Sequence, residues 1–82
     1  MGEYANITSR RLRRFLAWLG HNKEVDVVIG GTHPIKVVCQ RNNESYPLPA
    51  SHRMVNKHIV KDFMEWLARN GICTKEEFDK RI

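Results

Sequence analysis

The chain has 82 residues, enough for one domain. A domain that small buries only about 60–65% of the surface its unfolded chain exposes, which excludes a second domain over residues 1–82 and a large cofactor enclosed on all sides. The apolar fraction of 41% and charged fraction of 28% exclude a disordered chain, and 14 basic against 9 acidic residues give a net charge of +5 and a pI near 9.6. A domain this basic suits an anionic partner, most often nucleic acid; the plainer alternative is charge that keeps a soluble domain from associating.

Residues 8–20 read as a helix. Leu12, Phe15, Leu16 and Leu19 recur at the spacing of one buried face, with Thr8 as N-cap and Gly20 as C-cap. Val25-Asp26-Val27-Val28-Ile29 is β-branched and short, hence a strand. Gly30-Gly31 is a turn, residues 34–39 a second strand, and residues 40–45 a polar loop. Tyr46-Pro47-Leu48-Pro49 is a short extended piece that its prolines confine to a sheet edge or a strand end.

A second helix starts at the N-cap Asn56, with Ile59, Val60, Phe63, Met64 and Leu67 as its buried stripe and Trp66 at the edge of that stripe. Glu65 and Arg69, and His58 and Asp62, stand four apart and read as helix ion pairs. Asn70-Gly71 stops the helix. Thr74-Lys75-Glu76-Glu77 is a capping box for a short last helix with Phe78 turned inward.

The order is α-β-β-β-α with a short C-terminal helix. Three strands with short connections make an antiparallel sheet, and the two long helices are the cover available for one face. The expected fold is therefore α+β, a single domain over residues 1–82 of the double-stranded-RNA-binding-domain type. Its expected core holds Leu12, Phe15, Leu16, Leu19, Val27, Ile29, Val37, Ile59, Phe63 and Leu67.

The two cysteines, Cys39 and Cys73, form no C-x-x-C, which speaks against a structural zinc site and a redox pair. Both read as reduced thiols of a cytoplasmic protein. Asn6-Ile7-Thr8 and Asn43-Glu44-Ser45 match the glycosylation pattern but carry no weight without a secretory signal. No apolar run approaches a membrane span, and no repeat or low-complexity tract is present.

Gly30-Gly31-Thr32-His33-Pro34 concentrates the chemistry. Two glycines allow a sharp turn and close backbone approach, and Pro34 biases His33 toward an extended conformation at the start of a strand. A histidine so placed is a candidate general base or acid. Lys36, Arg41 and Arg53 are candidates to hold phosphates beside it, and cationic neighbours favour the neutral imidazole that a base needs. The other reading of His33 is a surface histidine bonded to its own turn.

His21 follows Gly20 and helps end the first helix. His52, in Pro49-Ala50-Ser51-His52-Arg53, is either a phosphate contact or a solvated loop residue. His52 and His58 lack further ligands, so no metal and no cofactor are expected. No phosphate-cradling loop or nucleophile elbow occurs.

Arg10 and Arg14 are one turn apart and opposite the apolar stripe, while Arg11 and Trp18 share an edge. Four arginines in the first two turns sit against the positive end of the helix dipole, which an anion would relieve. Lys57 and Lys61 are spaced to follow a phosphate strand. A plain solvated charged face accounts for the same residues.

These segments, in this order, resemble the HicA-type toxins, small mRNA interferases of toxin–antitoxin pairs. Residues 8–20 resemble their opening helix, and Gly31-Thr32-His33 resembles their glycine-serine/threonine-histidine motif. Residues 47–53 are similar to their segment before the last long helix, and residues 56–78 to that helix and its tail. The likeness covers roughly residues 7–78.

It implies a double-stranded-RNA-binding-like fold, metal-independent endoribonuclease activity on mRNA without a cofactor, and neutralisation by a HicB-type antitoxin. By motif match the catalytic role falls to His33; Gly31, Thr32, Lys36, Arg41, His52, Arg53 and Lys57 are the residues expected toward the RNA. Pro34 stands where many members carry a second histidine or an aromatic, and the 40–45 loop is long. A non-catalytic RNA-binding module, or a domain that binds only protein, is the alternative to the toxin reading.

Overall fold

The computed structural model describes residues 4–29, 35–48 and 53–82. In chain order its elements are β1 (Ile7–Thr8), α1 (Ser9–Leu19), β2 (Val25–Ile29), β3 (Ile35–Cys39), β4 (Ser45–Leu48), β5 (Met54–Val55), α2 (Lys57–Arg69) and α3 (Lys75–Arg81). The architecture is α+β: a three-stranded antiparallel sheet in the order β2-β3-β4, with a helix before it and helices after it.

The helices begin and end on the expected signals. The Thr8 hydroxyl accepts the Arg11 N–H at 3.1 Å, and the Asn56 side chain accepts the His58 N–H at 2.8 Å. The Gly71 N–H reaches the Ala68 carbonyl and the Ile72 N–H the Leu67 carbonyl, which closes α2 with Gly71 at φ 68. The capping box of α3 is complete, Thr74 and Glu77 each accepting the other's backbone N–H.

The sheet register places Val25, Val27 and Ile29 on one face with Cys39, Val37 and Ile35 of β3 and with Tyr46 and Leu48 of β4. The opposite face carries exposed Asp26, Val28, Lys36, Ser45 and Pro47. Both long helices cover the first face, α1 against β2 and α2 against β4. β4 is an edge strand, as its proline requires. The Cys39 N–H donates to the Glu44 carbonyl at 2.7 Å, and antiparallel alternation then turns the Pro47 nitrogen away from β3, where a missing N–H costs nothing.

Three expectations are corrected. Ile29 is 60% exposed and Val27 half-buried, because the cover from α1 gives out toward that end of β2. Trp66 is buried in the stripe itself, stacked on Phe63, while Ile59 is the half-buried edge. The Glu65–Arg69 and His58–Asp62 pairs do not form; among the described residues the ion pairs are Arg41–Glu24 and Lys75–Asp79. Asp62 instead accepts the Tyr46 hydroxyl at 2.7 Å.

The core also holds elements with no counterpart in the sequence reading. β1 pairs with β5, Ile7 opposite Val55 and Thr8 opposite Met54. Ile7 and Val55 each immediately precede a helix N-cap, and Leu12 and Val60 lie four residues inside the two helices. All four are buried in one cluster. Two apolar staples thus tie the starts of α1 and α2 to each other.

Both cysteines are buried free thiols. Burial, with Glu77 adding to it, pushes the Cys73 thiol from an ordinary 9.0 up to about 11. The folded state therefore holds this proton more tightly than the unfolded one. That stability is present in full below the unfolded value and lost as pH rises through about 11. Burial, then bonds to Asp79 and Asp62, raises Tyr4 and Tyr46 in the same sense. The melting temperature is expected to fall between pH 9.0 and about 11, and a flat profile over that interval would contradict it.

Candidate nucleic-acid interface

The pairing of β1 with β5 sets the starts of α1 and α2 side by side. The Ser9 N–H donates to the Arg53 carbonyl at 2.9 Å, and Asn6 Oδ1 accepts the Lys57 N–H at 2.9 Å. Exposed Arg53 and Lys57 therefore border the first turns of α1, which carry exposed Arg10, Arg13 and Arg14. These three arginines make no ion pair among the described residues. Arg11 does not belong with them. Its guanidinium donates twice to the Ile82 carbonyl oxygen, on the edge where Arg81 lies 4.6 Å over the Trp18 ring.

A second relation comes from the sheet. Ile29 pairs with Ile35, and Ile35 pairs with Leu48. The described residues that flank 30–34 and 49–52 are thus neighbours in one row, with Arg53 following the second segment. Gly31, Thr32 and His33 of the motif, and His52, lie outside the described residues. Lys36 is one residue from that row, exposed on the face away from the helices and opposite Val28 and Pro47.

Arg41 is not part of this group. It follows β3 at the far end of the hairpin, and five strand residues span roughly 17 Å. There its guanidinium bonds Glu24 and lies 3.5 Å from the position a Cβ would take at Gly71. Asn42 next to it donates to Asn70 at 2.7 Å. The 40–45 loop is therefore docked on the C-terminal end of α2, about 20 Å along that helix from Lys57.

Electrostatically the group at the paired starts of α1 and α2 carries only positive charge. Of the acidic side chains, Glu24 is held by Arg41, Asp62 by Tyr46, and Asp79 by Lys75 and Tyr4, which keep its carboxyl below the usual carboxylate range, while exposed Asp26 shares the outer face of the sheet with Lys36. Neither cysteine is a candidate nucleophile, since both are buried and the Cys73 thiol donates to the Thr74 carbonyl. No cluster of metal-ligating side chains occurs among the described residues, and no helix among them is long and apolar enough to cross a membrane.

Sequence reasoning missed that Arg53 and Lys57 join the arginines of α1. The signal that carries it is the repeated pattern of an apolar residue before a capping residue, Ile7-Thr8 and Val55-Asn56, at two helix starts. No family model, no curated protein and no solved structure matches the chain.

Proposed function

We propose that the chain is a cytoplasmic RNA-cleaving toxin of the HicA type with a double-stranded-RNA-binding-like fold, controlled by a HicB-type antitoxin. The observation that supports it most is the group of exposed cations, Arg10, Arg13, Arg14, Arg53 and Lys57, at the paired starts of α1 and α2, with Arg13 lining a groove that reaches Ile29, the residue before the 30–34 segment. Phosphates of an RNA strand would be held by those cations. His33 would accept the proton of a ribose 2′-hydroxyl as its oxygen attacks the adjacent phosphorus. The bond from phosphorus to the 5′-oxygen breaks, leaving a 2′,3′-cyclic phosphate and a 5′-hydroxyl end that takes up a proton. No metal is needed for this step.

The test is incubation of purified protein with mRNA in the presence of a chelator. Cleavage should persist and leave cyclic phosphate and 5′-hydroxyl ends. The second reading, a non-catalytic RNA-binding module, draws on the same cations, which need no histidine to bind RNA. It predicts binding without cleavage.

Both readings require salt-dependent affinity, because each neutralised phosphate releases counterions. Changing Arg10 and Arg14 together to glutamine should weaken RNA binding and reduce the slope of log affinity against log salt by roughly 1.5, with the fold intact because both side chains are exposed. An unchanged slope in a filter-binding titration would leave these arginines as a solvated face.

A further inference from the structure

We infer that the outer face of the three-stranded sheet is a contact surface for a second copy of this chain. The inference does not use His33 and stands whether or not the chain cleaves RNA. Residues opposed across a sheet share a face, so the register sets two short rows on the side away from the helices: Asp26, Val38 and Ser45, then Val28, Lys36 and Pro47. All but the half-buried Val38 are exposed, Val28 at 46%. Both long helices pack on the other side.

Charge selects a second copy as the occupant. The chain carries +5, and the group at the starts of α1 and α2 holds only cations, so two copies meeting there would repel. The outer face instead holds one acid and one base, Asp26 on β2 and Lys36 on β3, diagonal to each other. Neither has an ion pair among the described residues.

A two-fold contact uses the same patch on both copies, so the patch must complement itself. This one does. An axis lying between two such faces, and crossing the line from Asp26 to Lys36 at its midpoint and at a right angle, sets each Asp26 over the other copy's Lys36. Two ion pairs form at once. With strands about 4.8 Å apart and a rise of about 3.4 Å per residue, that line lies roughly 35° from the strand direction. The strands of the two copies then cross at roughly 70°, near the orthogonal class of sheet packing. Lysine and aspartate side chains together reach across the roughly 10 Å between packed sheets.

The other diagonal, from Val28 to Val38, runs close to the axis. Each valine therefore meets its own counterpart, and apolar contact fills the centre between the ion pairs. The helices of both copies lie outside this contact, so Arg10, Arg13 and Arg14 stay uncovered. Three short strands bury less than about 1,200 Å² in total, which makes the dimer a weak one.

The probe is the nucleic-acid-free protein itself, sedimented from about 10 μM to 1 mM in about 0.15 M salt, where the repulsion between two +5 chains is screened beyond about 8 Å. It should pass from monomer toward dimer over that range. Asp26→Lys alone, or Lys36→Asp alone, sets like charges over each other and should weaken the dimer by at least about tenfold. Both positions are exposed, and melting curves verify that the variants fold. An equimolar mixture of the two single variants should associate again, because every acid then faces a base. The double variant carrying Asp26→Lys with Lys36→Asp should dimerise like the wild type. The inference is overturned if the wild type stays monomeric at about 1 mM, or if its dimer is indifferent to the single changes. It is equally overturned if either the mixture or the double variant fails to restore association.

Discussion

Replacing Phe63 by alanine is expected to lower the unfolding free energy by about 3–5 kcal/mol. Phe63 is 1% exposed, with ring centroids of Tyr46 at 5.3 Å and of Phe15 and Phe78 each at 6.2 Å. It therefore joins α1, α2, α3 and β4 at one point, and the surrounding rings cannot all move in to fill the space it leaves. A small domain has a total stability toward the low end of about 5–15 kcal/mol, so the variant should be largely unfolded near physiological temperature. Ile29→Ala provides the contrast: that side chain is 60% exposed, and the change should stay within about 0.5 kcal/mol. Urea unfolding with an unchanged slope checks both. A Phe63→Ala loss under about 1 kcal/mol would mean that the buried face is misassigned.

The two differ for a reason the sequence does not contain. Phe63 lies on a helix of 13 residues, and more than three turns of periodicity define its buried face almost regardless of what it packs on. The same holds for Leu12, Phe15, Leu16 and Leu19 of α1, all buried as their spacing requires. Val27 and Ile29 also obey their strand's alternation, since both point to the helix side of the sheet. Whether a residue on the correct face is covered depends on where α1 crosses, and crossing geometry is a property of the assembled layers. Capping was legible for a related reason. Thr8, Asn56, Thr74 and Gly71 act on backbone groups within a few residues, so local sequence suffices.

Of the candidate site, residue types were legible and their company was not. Lys36 on the second strand and Arg41 in the loop after it are five positions apart, which reads as proximity. An extended strand converts that spacing into roughly 17 Å and leaves Arg41 with Glu24 at the other end of the hairpin. Arg53 and Lys57 are more than forty positions from Arg10, yet the four residues of β1 and β5 bring them beside it. Strands of two residues have no periodicity to detect. The ion pairs failed similarly: an i, i+4 spacing permits Glu65–Arg69 and His58–Asp62, but an exposed pair gains so little that a tertiary partner such as the Tyr46 hydroxyl takes Asp62 instead.

Expression of the wild-type chain should arrest growth and degrade mRNA, and His33→Ala should do neither while melting like the wild type. A positioned acid or base contributes about 10²–10⁴-fold, so removal of a lone proton carrier leaves a rate too low to deplete message. The binding part of the activity should survive. Arg10, Arg14, Arg53 and Lys57 are exposed on α1, before β5 and on α2, so under the proposed function they would hold phosphate with or without an imidazole. The His33→Ala protein should therefore retain RNA affinity and its salt dependence while losing cleavage. That separation distinguishes the toxin from a binding module, in which His33→Ala changes nothing, and from a structural histidine, whose loss lowers the melting temperature. Restoration of the imidazole function by added free imidazole would place the proton transfer at residue 33 itself. A His33→Ala protein that melts like the wild type and remains as toxic would remove His33 from the chemistry and leave the cations as the whole of the RNA-directed surface.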